Sequence, residues 1–131
     1  MSANKPTILI VEDEVTRRDF FREIFEPLFG RDWPVFAENA LEGIAKIRRS
    51  QYDIIFLDHD LGPDEALSGT DVAACVYRSC NQGSSFFVHS MNPGGSARMV
   101  SILRDMGCRV VECAYCTPGF GQRAIEFVQQ V

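Results

Sequence analysis

Apolar residues along this chain follow two alternating rhythms. Short unbroken runs occur at Thr7 to Val11, Asp53 to Leu57, Ser85 to Ser90 and Arg109 to Cys113. Such runs are what strands buried on both faces look like. Between them, apolar residues recur every three or four positions, as on one face of a helix. Val15 to Phe29 carries Phe20, Phe21, Ile24, Phe25, Leu28 and Phe29 on one stripe and Arg17, Arg18, Arg22 and Glu23 on the wet side. Pro27 should kink that helix or end it early. Trp33 to Ala37 predicts a second strand, with Pro34 confined to its start or to an edge. Asn39 caps a second helix whose Leu41, Ile44, Ala45 and Ile47 point inward, closed by Arg48, Arg49 and Ser50. A long loop runs from His59 to Ser68, broken by Gly62-Pro63 and Ser68-Gly69.

A third helix follows from about Thr70 to Cys80, stopped by Asn81-Gln82-Gly83. Asn92-Pro93-Gly94-Gly95 reads as a tight loop. Ser96 then caps a fourth helix that carries Met99, Val100, Ile102, Leu103 and Met106 to a stop at Gly107. A last helix, about Gln122 to Gln130, buries Ile125, Phe127 or Val128. Strand and helix alternate five times. Short crossovers through helices require parallel strands with right-handed connections, so the chain predicts a doubly wound, three-layer α/β sandwich. Its 131 residues suit a single domain spanning 1–131. The chain is 46% hydrophobic with 10 Phe, enough to fill one core.

Polar chemistry sits where the strands end. Glu12-Asp13-Glu14 follows the first strand, and Asp58-His59-Asp60 follows the third. In open α/β sheets ligands bind beyond the carboxyl ends of the strands. On extended backbone Asp58 and Asp60 point to one side. Converging carboxylates repel unless a positive charge lies between them, and hard divalent cations suit oxygen ligands. Glu12, Asp13, Asp58 and Asp60 are therefore the expected metal ligands, for Mg²⁺ or Mn²⁺. Acids after the first strand also suit the positive end of the next helix, whether or not metal binds.

The net charge of −5 leaves no footprint for duplex nucleic acid, and no apolar run is long enough to span a bilayer. A cytoplasmic location is expected. The cysteines are Cys75, Cys80, Cys108, Cys113 and Cys116. An odd number without a secretory signal argues against a disulfide framework, and Cys113-x-x-Cys116 reads as incidental thiols.

The segment from Ile8 to Glu14, the run Ile54 to Asp58, Gly69 opening a helix and Ser90 ending the fourth strand together resemble the receiver domains of two-component signalling. The resemblance covers essentially the whole chain and implies the flavodoxin-like strand order 2-1-3-4-5. It also implies that Asp58 is a phosphoryl acceptor, that Glu12 and Asp13 hold a cation and that Ser90 donates to phosphate. A histidine kinase or another signalling protein is the implied partner. The pattern breaks at the family's strand-five lysine. Lys5 and Lys46 are the only lysines, and alignment puts Ala114 or Thr117 in that place. Arg98 or Arg123 would be the substitute charge, with a rigid fork in place of a point charge.

Leu57-Asp58-His59-Asp60-Leu61-Gly62 together with His89-Ser90-Met91-Asn92 is similar to a divergent branch of that fold that processes cyclic phosphates at RNA ends. The leading expectation is a phosphoryl-accepting or phosphate-sensing module. The alternatives are a metal-dependent enzyme that opens cyclic phosphates, acting on an RNA end, and a degenerate receiver used only as a protein-binding surface. Alternation along the fourth strand turns Ser90 to the site and His89 away, as a brace. His59 suits a proton donor or a brace equally well. The expected anion site lies between Asp58, Ser90 and the amides of residues 92–96, including Asn92, Gly94 and Gly95, with Arg98 nearby.

Overall fold

The computed structural model describes residues 5–62 and 66–131, so Pro63 in the expected loop breaker lies outside the described residues. Five strands form one parallel sheet: β1 (Ile8–Val11), β2 (Val35–Ala37), β3 (Ile54–Leu57), β4 (Ser85–Val88) and β5 (Arg109–Glu112). Their spatial order is β2-β1-β3-β4-β5. The helices are α1 (Val15–Phe29), α2 (Ala40–Arg49), α3 (Gly69–Cys75), α4 (Pro93–Asp105) and α5 (Phe120–Gln129). This is the doubly wound, flavodoxin-like sandwich that the alternation and the resemblance imply.

Each face of the sheet has its own core. Leu9, Val11, Ile55, Leu57, Phe86 and Val88 turn towards α2, α3 and α4, where Ile47, Val72, Met99 and Leu103 meet them. Ile8, Ile10, Ile54, Phe56 and Phe87 turn to the other side, against Phe21 and Phe25 of α1 and Phe120, Ala124 and Phe127 of α5. Phe21 and Phe56 meet edge to face with centroids 5.3 Å apart, and Phe56 and Phe87 stack at 4.8 Å. Burying rings of this size stabilises a core by about 1.5–3 kcal/mol each.

Several local expectations are corrected. α1 continues through Pro27 to Phe29, because the proline forfeits one N–H bond near the helix end while Phe25 and Phe29 still pack. Gly30, at φ +85°, then closes the helix. Pro34 sits just before the edge strand β2, which is shorter than expected. On α2 the inward positions are Ala40, Gly43 and Ile47, while Leu41 and Ala45 face solvent. Asn39 caps the helix by accepting from the Glu42 N–H, and Gly43 packs against Val11.

α3 stops at Cys75 and gives way to turns closed three residues apart, such as Ser79 N–H to the Val76 carbonyl. The buried Asn81 follows these turns. It donates to the carbonyls of Ile47 and Ser50 and accepts from the Tyr52 N–H, and so ties the end of α2 to the approach to β3. The expected loop at residues 92–95 is instead the start of α4: Asn92 is its cap and Pro93 its first residue. α5 begins two residues early, at Phe120. No helix among the described residues is long and apolar enough to cross a membrane.

Candidate active site at the carboxyl ends of β1, β3 and β4

The ladder hydrogen bonds continue one residue past each central strand. Asp58 N–H reaches the Val11 carbonyl and His89 N–H the Leu57 carbonyl. Val11, Leu57 and Val88 are in register, so Glu12, Asp58 and His89 are too. Residues in register on neighbouring strands share a face. These three follow Ile10, Phe56 and Phe87 by two, so their side chains emerge on the α1/α5 side. They converge there, each offering a ligand atom within 4.8 Å of the others, and all three are buried.

Contrary to the expectation that His89 turns away, its ring faces the site. Alternation holds along β4, but it is His89 that shares the face of Asp58. Ser90 turns to the following loop, where its hydroxyl accepts from the Asn92 N–H at 3.0 Å. Asp60 does not join the acids. The chain leaves the strand after Leu57, and the largely exposed Asp60 carboxylate instead accepts from His59 Nδ1 at 2.9 Å. Asp13 stays beside Glu12, half-buried.

Glu12 is held at both oxygens. Oε1 faces His89 Nε2 at 2.9 Å, and Oε2 accepts from the Glu14 N–H at 3.0 Å. Burial pushes its carboxyl up, but the bond and charge of His89, the Glu14 amide and the Arg17 charge together bring it below the ordinary value. Asp58 goes the other way. Burial and the Glu12 charge raise its pKa despite His89, the His59 amide and Arg17. Burial and the neighbouring Glu12 raise Asp13 as well. The pocket is therefore a set of acids whose full ionisation is resisted.

The carboxylates fit a divalent cation. With Glu12 ionised, His89 Nε2 carries a proton and donates to it. Ligation through Nε2 would need the proton on Nδ1, which is buried without a partner and packed among Phe21, Phe56 and Phe120. Ligating histidines almost always donate through their second nitrogen. His89 thus suits the orientation of Glu12, and oxygen ligands from Glu12 and Asp58, with Asp13 adjacent, make a hard-cation set.

Two arginines assigned to the wet face of α1 belong here. Arg18 is buried and donates to the carbonyls of Glu12 (3.1 Å) and Asp13 (2.7 Å), which fixes the acidic turn. Arg17 reaches Asp58 Oδ2 at 3.4 Å and Glu12 Oε1 at 3.8 Å. Arg98 and Arg123, the expected substitute cations, are exposed on α4 and α5.

His59 sits beside the acids. Its N–H donates to Asp58 Oδ1 at 2.8 Å, and its ring lies over Gly95, where an added Cβ would come within 2.3 Å of the imidazole. Gly95 therefore makes room for this ring. The bond from His59 leads the causes that lower the Asp60 pKa. That bond assigns the proton to Nδ1 and leaves Nε2 for a reacting group. Asn92 supports the pair, with its amide nitrogen 3.4 Å from Asp60 and its oxygen accepting from the Gly95 N–H. Asn92, Gly95 and Ser96 N–H are all bonded internally, so the α4 start presents fewer amides to an anion than expected. Gly69 opens α3 against the backbone of this turn: a Cβ there would lie 2.1 Å from the Asp58 carbonyl oxygen.

Residues 7–105 match the family model described as the cyclic-phosphate processing receiver domain. The chain belongs to that family. Its fold is similar to a CheY-like receiver domain from Methanospirillum hungatei JF-1, with 17% identity, TM-score 0.71, and 97% and 93% of the two chains covered. It is also similar to the response regulator domain of Thermotoga maritima CheB, with 16% identity, TM-score 0.72, and 97% and 96% covered. A third likeness is the receiver domain of sensor histidine kinase PA1611 from Pseudomonas aeruginosa PAO1, with 16% identity, TM-score 0.72, and 97% of each chain covered. That structure has a magnesium ion coordinated in the active site cleft. No curated protein matches the chain in sequence.

Proposed function

We propose that this receiver-like domain is a metal-dependent enzyme that opens cyclic phosphodiesters, with a 2′,3′-cyclic phosphate at an RNA end as the substrate class. The observation that carries the reading is the placement of His59. Its backbone is bonded to Asp58, its ring is backed by Asp60, and Gly95 leaves it room beside the acids. The family description, cyclic-phosphate processing, agrees with it.

Glu12, Asp13 and Asp58 would hold Mg²⁺ or Mn²⁺. Such a cation would neutralise phosphoryl charge as a Lewis acid. Water adds to phosphorus and releases a proton to solvent, one P–O ester bond breaks, and the departing oxygen takes a proton from His59 Nε2, which solvent restores. Asp60 stabilises the imidazolium before transfer and keeps the ring in place. His89 orients Glu12, and Arg18 holds the turn that carries Glu12 and Asp13. The net charge of −5 disfavours a duplex, and a cytoplasmic setting fits this role.

The test is hydrolysis of a 2′,3′-cyclic nucleotide with Mg²⁺ or Mn²⁺, followed by ³¹P NMR. Conversion to a phosphomonoester by the wild type, lost in Asp58→Asn, is the expected result. No conversion by the wild type under either metal would overturn the reading.

A second reading keeps Asp58 as a phosphoryl acceptor served by a histidine kinase or another signalling protein. Its specific support is the position of Asp58 at the end of β3, with Oδ2 held only loosely by Arg17 at 3.4 Å. Intact mass after incubation with Mg²⁺ and a small phosphodonor tests it, and an unmodified chain rules it out.

A further inference from the structure

Arg17 lies across the mouth of the acidic pocket. From α1 its guanidinium reaches Glu12 after β1, Asp58 after β3, the Met91 sulfur after β4 at 3.8 Å and the Tyr115 ring after β5 at 5.0 Å. It spans the ends of four strands. Its ion pairs at 3.4 and 3.8 Å are longer than the 2.7–2.9 Å or so of a good charge-assisted hydrogen bond. The contact with Glu14, at 3.7 Å, is equally loose. The guanidinium is held over the Tyr115 face, with its planar fork of donors largely unspent. Tyr115 is itself fixed, its N–H bonded to the His89 carbonyl at 3.0 Å. The side chain keeps about a fifth of its surface exposed, so a ligand can reach it.

We propose that Arg17 is the phosphate-binding side chain of this site, and that it serves as the counter-ion of the carboxylates until a divalent cation replaces it. The inference rests on the metal-dependent reading of the pocket. A cation and the Arg17 charge compete for the same oxygens of Glu12 and Asp58. Once the cation holds them, Arg17 loses its pairing with Glu12 and Asp58, while Tyr115 and the loose contact with Glu14 keep it at the mouth. Its fork then faces the non-bridging oxygens of a phosphate bound to the cation. The chain has no lysine that reaches this place, and Arg17 comes to it from α1 rather than from β5.

This exchange leaves a double signature that a merely structural arginine would not. In titration calorimetry on the full chain, Arg17→Ala and Arg17→Gln should bind Mn²⁺ about tenfold tighter than the wild type, because a competing charge is gone. With Mn²⁺ saturating, both should bind inorganic phosphate about tenfold more weakly, and Arg17→Lys should restore part of that loss. Arg17→Gln keeps the length of the side chain and covers the case in which Arg17→Ala folds poorly. Mn²⁺ binding by the variants alone would also support the exchange. Unchanged or weaker Mn²⁺ affinity in both variants, unchanged phosphate affinity, or no Mn²⁺ binding by any form would overturn it. The outcome is separate from turnover. A wild type that shows the exchange but opens no cyclic phosphate leaves Arg17 in this role and removes the enzyme reading. Turnover without the exchange does the reverse.

Discussion

His89 Nε2 and Glu12 Oε1 meet at 2.9 Å with neither side chain exposed to solvent. They come from the ends of β4 and β1, which are separated in the sheet by β3. The bond fixes the Glu12 carboxylate beside Asp58.

If His89 only orients Glu12, His89→Ala should weaken Mn²⁺ binding by about ten- to a hundredfold without abolishing it, as loss of an outer-shell partner does. Asp58→Asn should abolish it. Calorimetry with Mn²⁺ separates the two. Complete loss of binding in His89→Ala, with binding retained in Asp58→Asn, would make the imidazole the ligand.

The metal-free protein should be most stable in mildly acidic solution. The folded pKa of Glu12 lies below its ordinary 4.5, so its contribution is present above 4.5 and lost as pH falls through the folded value. The folded pKa of Asp58 lies above its ordinary 3.8, so its ionisation opposes folding as pH rises through the folded value, and Asp13 acts in the same direction. Thermal melts in chelator from pH 3 upward, about the range these carboxylates span, should show a maximum with a decline on both sides. Asp58→Asn should flatten the decline towards neutrality and raise Tm there. A Tm lowered by Asp58→Asn at pH 7 would contradict the raised pKa.

His59→Ala should cut cyclic-phosphate turnover by about a hundredfold or more, the loss expected of a general acid. Mn²⁺ affinity should hardly change, since only the backbone of His59 touches Asp58. Gly95→Ala should do similar damage from a distance, because its methyl would occupy the ring's place. Full turnover in both variants would return His59 to a bracing role.

Gly69→Ala should destabilise the fold by about 1–3 kcal/mol, the range for overpacking a tight site. Its methyl meets the backbone of Asp58 and His59, which cannot swing aside as a flexible side chain would. Urea denaturation measures the loss. A stability equal to the wild type would mean that the turn after β3 relaxes freely.

Much of the site was legible along the chain. The apolar runs marked the buried strands, and the acids after Val11 and Leu57 marked the edge where ligands bind. Periodicity alone also held the position of His89, two residues beyond Phe87 on the same face. Placing Ser90 at the site turns His89 to the wrong side, whereas the Ser90 hydroxyl faces the following loop. Asp60 escapes the same periodicity, because period two holds only while the backbone stays extended and the chain turns after Leu57.

Arg17 could not be found this way. Helical spacing puts it on the polar side of α1, and for most helices that side faces water. Here the first turn of α1 overhangs the strand ends, so part of its polar side looks down on Glu12 and Asp58 instead. Residue types and spacing determined which strands are buried and where negative charge gathers. The sheet register and the seating of α1 decided which cation meets that charge, because contacts between residues 41 apart in the chain, such as Arg17 and Asp58, exist only once the crossovers have packed.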